Sequence, residues 1–137
     1  MDRYRTARRQ NAAEIAEDYV ELIDELIRDQ GEARSVDLAG RLGVSHVTVT
    51  KTVRRLQKGG LVRAEPYRSI FLTTDGQKLA LMCRQRHELV VAFLKALGVE
   101  PATAERDAEG IEHHVSDETL RAINAFMIRA GGPRESV

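Results

Sequence analysis

A chain of 137 residues with 42% apolar side chains is long enough for one compact body or two tightly joined lobes. The single cysteine, Cys83, excludes a disulfide framework or a CxxC zinc module. No apolar run approaches the ~20 residues of a membrane span, and the polar start "MDRYRTARRQ" does not read as a signal peptide, so a cytoplasmic protein is expected.

The balance of 21 basic against 21 acidic residues conceals a segregation. Residues 1–13 are Arg-rich, and residues 14–32 set Glu14, Glu17, Asp18, Glu21, Asp24, Glu25, Asp29 and Glu32 against Arg28 alone. Residues 34–68 then set Arg34, Arg41, Lys51, Arg54, Arg55, Lys58, Arg63 and Arg68 against Asp37 and Glu65, and residues 100–118 are acidic again. A basic middle between acidic flanks suggests a polyanion surface in one place and a cation site in another; solvated helix faces are the plainer alternative.

In chain order, residues 1–13 form an extension that is either a phosphate-contacting arm or a disordered segment. "EIAEDYVELIDELIRD" (14–29) repeats Ile15, Tyr19, Leu22, Ile23, Leu26 and Ile27 at steps of three and four, which predicts a helix with one apolar face. "VDLAGRLG" predicts a short helix with Ser35 as its N-cap and Gly43 as a left-handed terminator. "VSHVTVTKTVRRLQKGG" predicts a second helix capped by Ser45, with Val49, Val53 and Leu56 inward. Two short helices around a Gly-containing turn make a helix-turn-helix; a plain helical hairpin is the alternative. "LVRA" and "IFL" flank "EPYRS" as the strands of a hairpin, or wing. Thr74 then caps a long helix whose apolar residues include Leu79, Met82, Leu89, Val90, Phe93, Leu94 and Leu97. Another helix starts near Pro101, a last one is capped by Ser116, and "GGPRESV" is expected to fray.

The fold class expected is mainly α with a small β-wing. A winged helix-turn-helix DNA-binding domain over 14–76 follows the extension, and a helical metal-binding and dimerisation domain occupies 77–137.

On the second helix of the pair, Ser45, His46, Val47, Thr48, Thr50, Lys51, Arg54 and Arg55 are left to face outward. An exposed Val47 suits a thymine methyl group, Lys51 can reach a guanine edge, and Thr48, Arg54, Arg55 and Lys58 suit phosphates. Arg68, at the hairpin tip, can enter a minor groove.

In "AEGIEHHVSDETL", Glu109, Glu112 and His113 fall at i, i+3 and i+4, one side of a single helix, with His114 rotated away. Asp18 and Glu21 repeat the i, i+3 spacing on the first helix, and His87 in "RQRHEL" offers an imidazole from the long one. Left empty, such a set repels itself: at ~5 Å and an effective dielectric of ~20 each like pair costs on the order of 3 kcal/mol. A divalent cation reverses the sign. Oxygen donors without a thiolate favour Mn(II) or Fe(II), and bridging carboxylates allow one or two ions per subunit. Separate roles as solvated face, helix surface or core histidine remain the alternatives for these residues.

These stretches, from "EDYVELI" through "VDLAGRLGVSHVTVTKTVRRLQKGGLV" and "YRSIFLTTDGQKLA" to "RHELVVAFLKALGV" and "DAEGIEHHVSDETL", resemble in order and spacing the diphtheria toxin repressor family of metal-dependent transcription regulators. The resemblance runs from about Glu17 to Ile123 and is closer to the manganese transport regulator branch. It implies that Asp18, Glu21, His87, Glu109, Glu112 and His113 are metal ligands. It also implies that Glu112 replaces the sulfur donor of iron-type relatives, a change that suits the harder manganese ion. A homodimer on a pseudo-palindromic operator, acting as a repressor of manganese import, is the implied function, with metal as a clasp between lobes. A winged-helix regulator of ferrous iron or of an organic ligand, and a small di-metal enzyme, are the other classes; no separate catalytic constellation is seen for the last.

Overall fold

The apolar spacing of Tyr19, Leu22, Ile23 and Leu26 folds as the buried side of α1 (Arg3–Gln30), joined by a fully buried Val20. The computed structural model describes residues 3–131, with side chains over 11–131. Residues 3–13, expected as an extension, continue α1 as helical backbone. The stretch has no Gly or Pro and is rich in Ala and Arg, residues that propagate a helix at little cost. Residues 132–137 of the expected frayed tail lie outside the described residues.

Beyond α1 come α2 (Ser35–Leu42), α3 (His46–Lys58), β1 (Val62–Arg63), β2 (Phe71–Leu72), α4 (Thr74–Ala96), α5 (Pro101–Ile111) and α6 (Asp117–Arg129). The chain divides into two compact units after Leu81, inside α4. No helix among the described residues is long and apolar enough to cross a membrane.

In the first unit, α2 and α3 meet through a turn in which Gly43 takes φ 67°, a left-handed geometry that favours glycine. Ser45 Oγ accepts the Thr48 backbone N–H at 3.1 Å and starts α3. The N-cap of α2 is Arg34, not Ser35: the Asp37 carboxylate reaches back to accept the Arg34 N–H at 3.1 Å, so the helix starts one residue earlier than the serine suggests. Leu38, Val49, Val53 and Leu56 from the pair join the α1 face, Val62, Ile70 and Leu72 in one core.

The wing is a two-stranded antiparallel hairpin in register Val62↔Leu72 and Arg63↔Phe71, so Val62 and Leu72 face the core while Arg63 and Phe71 face out. Its root is tied to the α1–α2 connection: Ile70 N–H donates to Ala33 O at 2.7 Å and Ser69 Oγ donates to Glu32 at 3.0 Å. Thr73, one residue before the expected cap, supplies the hydroxyl that accepts the Gly76 N–H at the start of α4. Gly76 packs so closely on the strand that a Cβ would stand 2.1 Å from Leu61 O.

In the second unit, Leu89, Val90 and Val91 of α4 pack with Ala104 and Ala108 of α5 and with Leu120 and Met127 of α6. The two alanines, one turn apart on α5, are fully buried in this cluster. Phe93 and Phe126 meet edge to face with ring centroids 5.9 Å apart. Met82 and Leu97, expected on the apolar face of α4, are 46% and 60% exposed. Ser116 caps α6 through the Thr119 N–H, as expected.

Candidate metal centre and nucleic-acid interface

Burial of Ala104 and Ala108 turns the acidic stripe of α5, Glu105, Glu109 and Glu112 at i, i+4 and i+7, toward His87 of α4. His87 Nδ1 lies 2.9 Å from Glu112 Oε2 and 3.6 Å from Glu109 Oε1, while Nε2 lies 2.8 Å from Glu105 Oε2. One donor atom each from His87, Glu109 and Glu112 fall within 4.8 Å of one another.

Glu112 has no exposed surface, which is costly for a carboxylate unless its charge is met. One oxygen meets His87. The other, Oε1, accepts no hydrogen bond from any described residue and has His113 Nε2 at 3.4 Å. A buried carboxylate oxygen without a hydrogen bond, beside an imidazole and a second carboxylate in a donor group that contains no cysteine, fits a hard divalent cation. The hydrogen bond to Glu112 pushes His87 up to about 9; burial opposes this, and the bond to Glu105 and the charges of Glu112 and Glu109 add to it. At neutral pH the ion-free ring is an imidazolium that donates from both nitrogens.

Two expectations need adjustment. Glu109, Glu112 and His113 do not share one continuous helix: α5 ends at Ile111, Glu112 is its C-cap, and the His113 N–H turns to Gly110 O at 3.3 Å. The turn after the helix still leaves His113 Nε2 3.4 Å from Glu112 Oε1. The second is an omission: Glu105 was not singled out, although its i, i+4, i+7 spacing with Glu109 and Glu112 signals it. Asp18 and Glu21 stand at i, i+3 on α1 in the first unit, both half-buried.

On α3, Ser45, His46, Val47, Thr48, Lys51, Arg54 and Arg55 are exposed, Val47 at 62%. Thr50 is half-buried and its hydroxyl donates to His46 O at 3.0 Å, so it is partly committed to its own helix. Lys51, Arg54 and Arg55 form no ion pair among the described residues, which leaves their charge for an outside partner. At the wing tip Arg68 is 76% exposed and 3.4 Å from Glu65, and Tyr67 before it takes φ 62°. Val36 on α2, 68% exposed, is a further outward apolar side chain that periodicity did not flag.

Two family models divide the chain between them: the iron dependent repressor N-terminal DNA binding domain matches residues 12–70, and the iron dependent repressor metal binding and dimerisation domain matches residues 73–130. The transcriptional regulator MntR of Escherichia coli O157:H7 is 51% identical over 131 residues, 96% of this chain and 84% of the relative. The HTH-type transcriptional regulator MntR of Lysinibacillus sphaericus (strain C3-41) is 45% identical over 100 residues, 73% of this chain and 72% of the relative. Among solved structures, a manganese-dependent transcriptional repressor in complex with manganese superposes with a TM-score of 0.75 at 32% identity, over 88% of this chain and 55% of that one. The chain thus spans about half the length of that structure and of the manganese regulator SloR. Matched in both halves and at this identity, the chain belongs to the iron-dependent, or diphtheria toxin, repressor family, in its manganese transport regulator branch.

Proposed function

We propose that this chain is a manganese-responsive transcriptional regulator that binds operator DNA as a metal-loaded homodimer and represses manganese uptake. The observation that carries the reading is the fully buried Glu112 carboxylate, with one oxygen on His87 and the other accepting no hydrogen bond. When bound, the ion supplies the positive charge that this carboxylate and Glu109 face. His87 contributes Nδ1 once it has lost its proton, and an oxygen donor in place of a thioether or thiolate at position 112 favours Mn(II) over softer ions. On donor type and on the resemblance of their surroundings, we assign Asp18, Glu21 and His113 as the remaining ligands. The relatives at this identity are transcriptional regulators, and the di-metal enzyme is not favoured.

The nucleic-acid side of the reading rests on α3 and the wing. Val47 and Lys51 read base edges, Ser45, His46, Thr48, Thr50, Arg54 and Arg55 set register and affinity around them, and Arg68 reaches the minor groove. Dimerisation follows from the family's second domain and from the apolar residues left exposed in that unit: Leu97, Ile111, Phe126 and Ile128. Such a protein works in the cytoplasm, where DNA and the manganese pool meet.

The test is fluorescence anisotropy on a duplex selected from a random library, titrated with protein at fixed salt, with and without Mn(II). Manganese is expected to raise affinity at least tenfold, and Fe(II) less. Equal affinity in both buffers would remove the switch.

A further inference from the structure

We propose that Glu105 is a positioning residue of the metal centre: by accepting the Nε2–H of His87 it leaves Nδ1 as the donor atom for the ion. The inference rests on the metal reading above and deepens it. An imidazole has two nitrogens that point in divergent directions, and either can carry the single proton of the neutral ring. Nδ1 faces Glu112 at 2.9 Å and Glu109 at 3.6 Å, so that nitrogen points at the donor cluster. Nε2 faces away from it, onto Glu105 at 2.8 Å, and Glu105 is outside the set of donors that fall within 4.8 Å of one another.

When an ion displaces the proton at Nδ1, the proton that remains must be on Nε2. A carboxylate there makes a charge-assisted hydrogen bond to that tautomer and raises the basicity of the opposite nitrogen. The support is rigid, because Glu105 lies inside α5 next to the fully buried Ala104, so its distance to His87 is set by helix packing and not by a loop. The side chain is 61% exposed, so water can replace part of what it supplies, and the effect belongs at the lower end of what such partners contribute.

The experiment measures Mn(II) affinity of the full chain by calorimetry for wild type, Glu105→Ala, Glu105→Gln and Glu112→Ala. It adds 15N NMR of His87 in protein loaded with 113Cd(II), a diamagnetic probe. Glu105→Ala is expected to weaken Mn(II) binding about tenfold, and Glu105→Gln, which still offers an acceptor oxygen, to recover part of it. The NMR of the wild type is expected to show 113Cd coupling at Nδ1 and a proton at Nε2. Wild-type affinity in Glu105→Ala overturns the inference, as does tighter binding, which would make the pair a latch competing with the ion. Cadmium coupled to Nε2 overturns it too. If wild type binds no Mn(II), or Glu112→Ala binds normally, the metal reading itself fails and the inference goes with it.

Discussion

His87 Nδ1 and Glu112 Oε2 stand 2.9 Å apart, and Glu112 has no exposed surface. The imidazole and the carboxylate are therefore hydrogen-bond partners without an ion and joint donors to one that arrives. The chemistry expected of the protein follows from how that pair exchanges a proton for a cation.

Removing the carboxylate should remove the ion. Glu112→Gln keeps size and a carbonyl oxygen but deletes the charge, and its Mn(II) affinity should fall by more than the ~10–100-fold typical of a residue that only supports a ligand. Calorimetric titration checks this; retention of wild-type affinity would place the ion elsewhere.

Protonation of His87 sets the pH dependence. Its folded value, about 9, lies above the ordinary 6.5, so the Glu112 and Glu105 pairings stabilise the ion-free fold fully below pH 6.5, and that contribution is lost as pH rises through about 9. Binding of Mn(II) must expel the same proton, so apparent affinity should rise with pH from 6.5 to about 9, with proton release. Calorimetry in buffers of different ionisation enthalpy reads both, and a pH-independent affinity without proton release contradicts the pairing.

Gly76 tests the wing. A Cβ at this position meets Leu61 O at 2.1 Å, a backbone atom that also accepts the Thr73 N–H at 3.0 Å and cannot withdraw without loosening the hairpin. Gly76→Ala should destabilise the first unit by about 2–4 kcal/mol, well beyond an ordinary surface change. A melting temperature equal to wild type would show that the strand yields more easily than this packing implies.

On the DNA face the two kinds of contact should separate. Arg54→Ala should weaken binding evenly across sequences and reduce the salt slope by about 1, whereas Val47→Ala should relax preference at one base step and leave the slope unchanged. Binding to a panel of single-base operator variants at several salt concentrations distinguishes them.

Much of this architecture was legible in the sequence because local chemistry set it. Ser45 and Ser116 are caps whose hydroxyls accept the expected backbone N–H groups, Gly43 takes the left-handed turn, and Val49, Val53 and Leu56 are buried at the spacing that predicted them. What periodicity missed depended on longer reach. Asp37 moves the start of α2 to Arg34, a reciprocal bond that a preference for serine caps does not anticipate. The end of α5 at Ile111 puts Glu112 at the cap and His113 in the turn that follows, which donor spacing alone does not show. Glu105 acquires its meaning only when His87 comes across from α4, a tertiary meeting that spacing along one helix does not show.

The most direct test of the central claim is anomalous scattering at the manganese edge from crystals of the Mn(II)-loaded protein. The account predicts a peak in bonding contact with His87 Nδ1 and with carboxylate oxygens of Glu109 and Glu112. A peak bonded to none of these three, or no peak from protein that still binds its operator tightly, contradicts it.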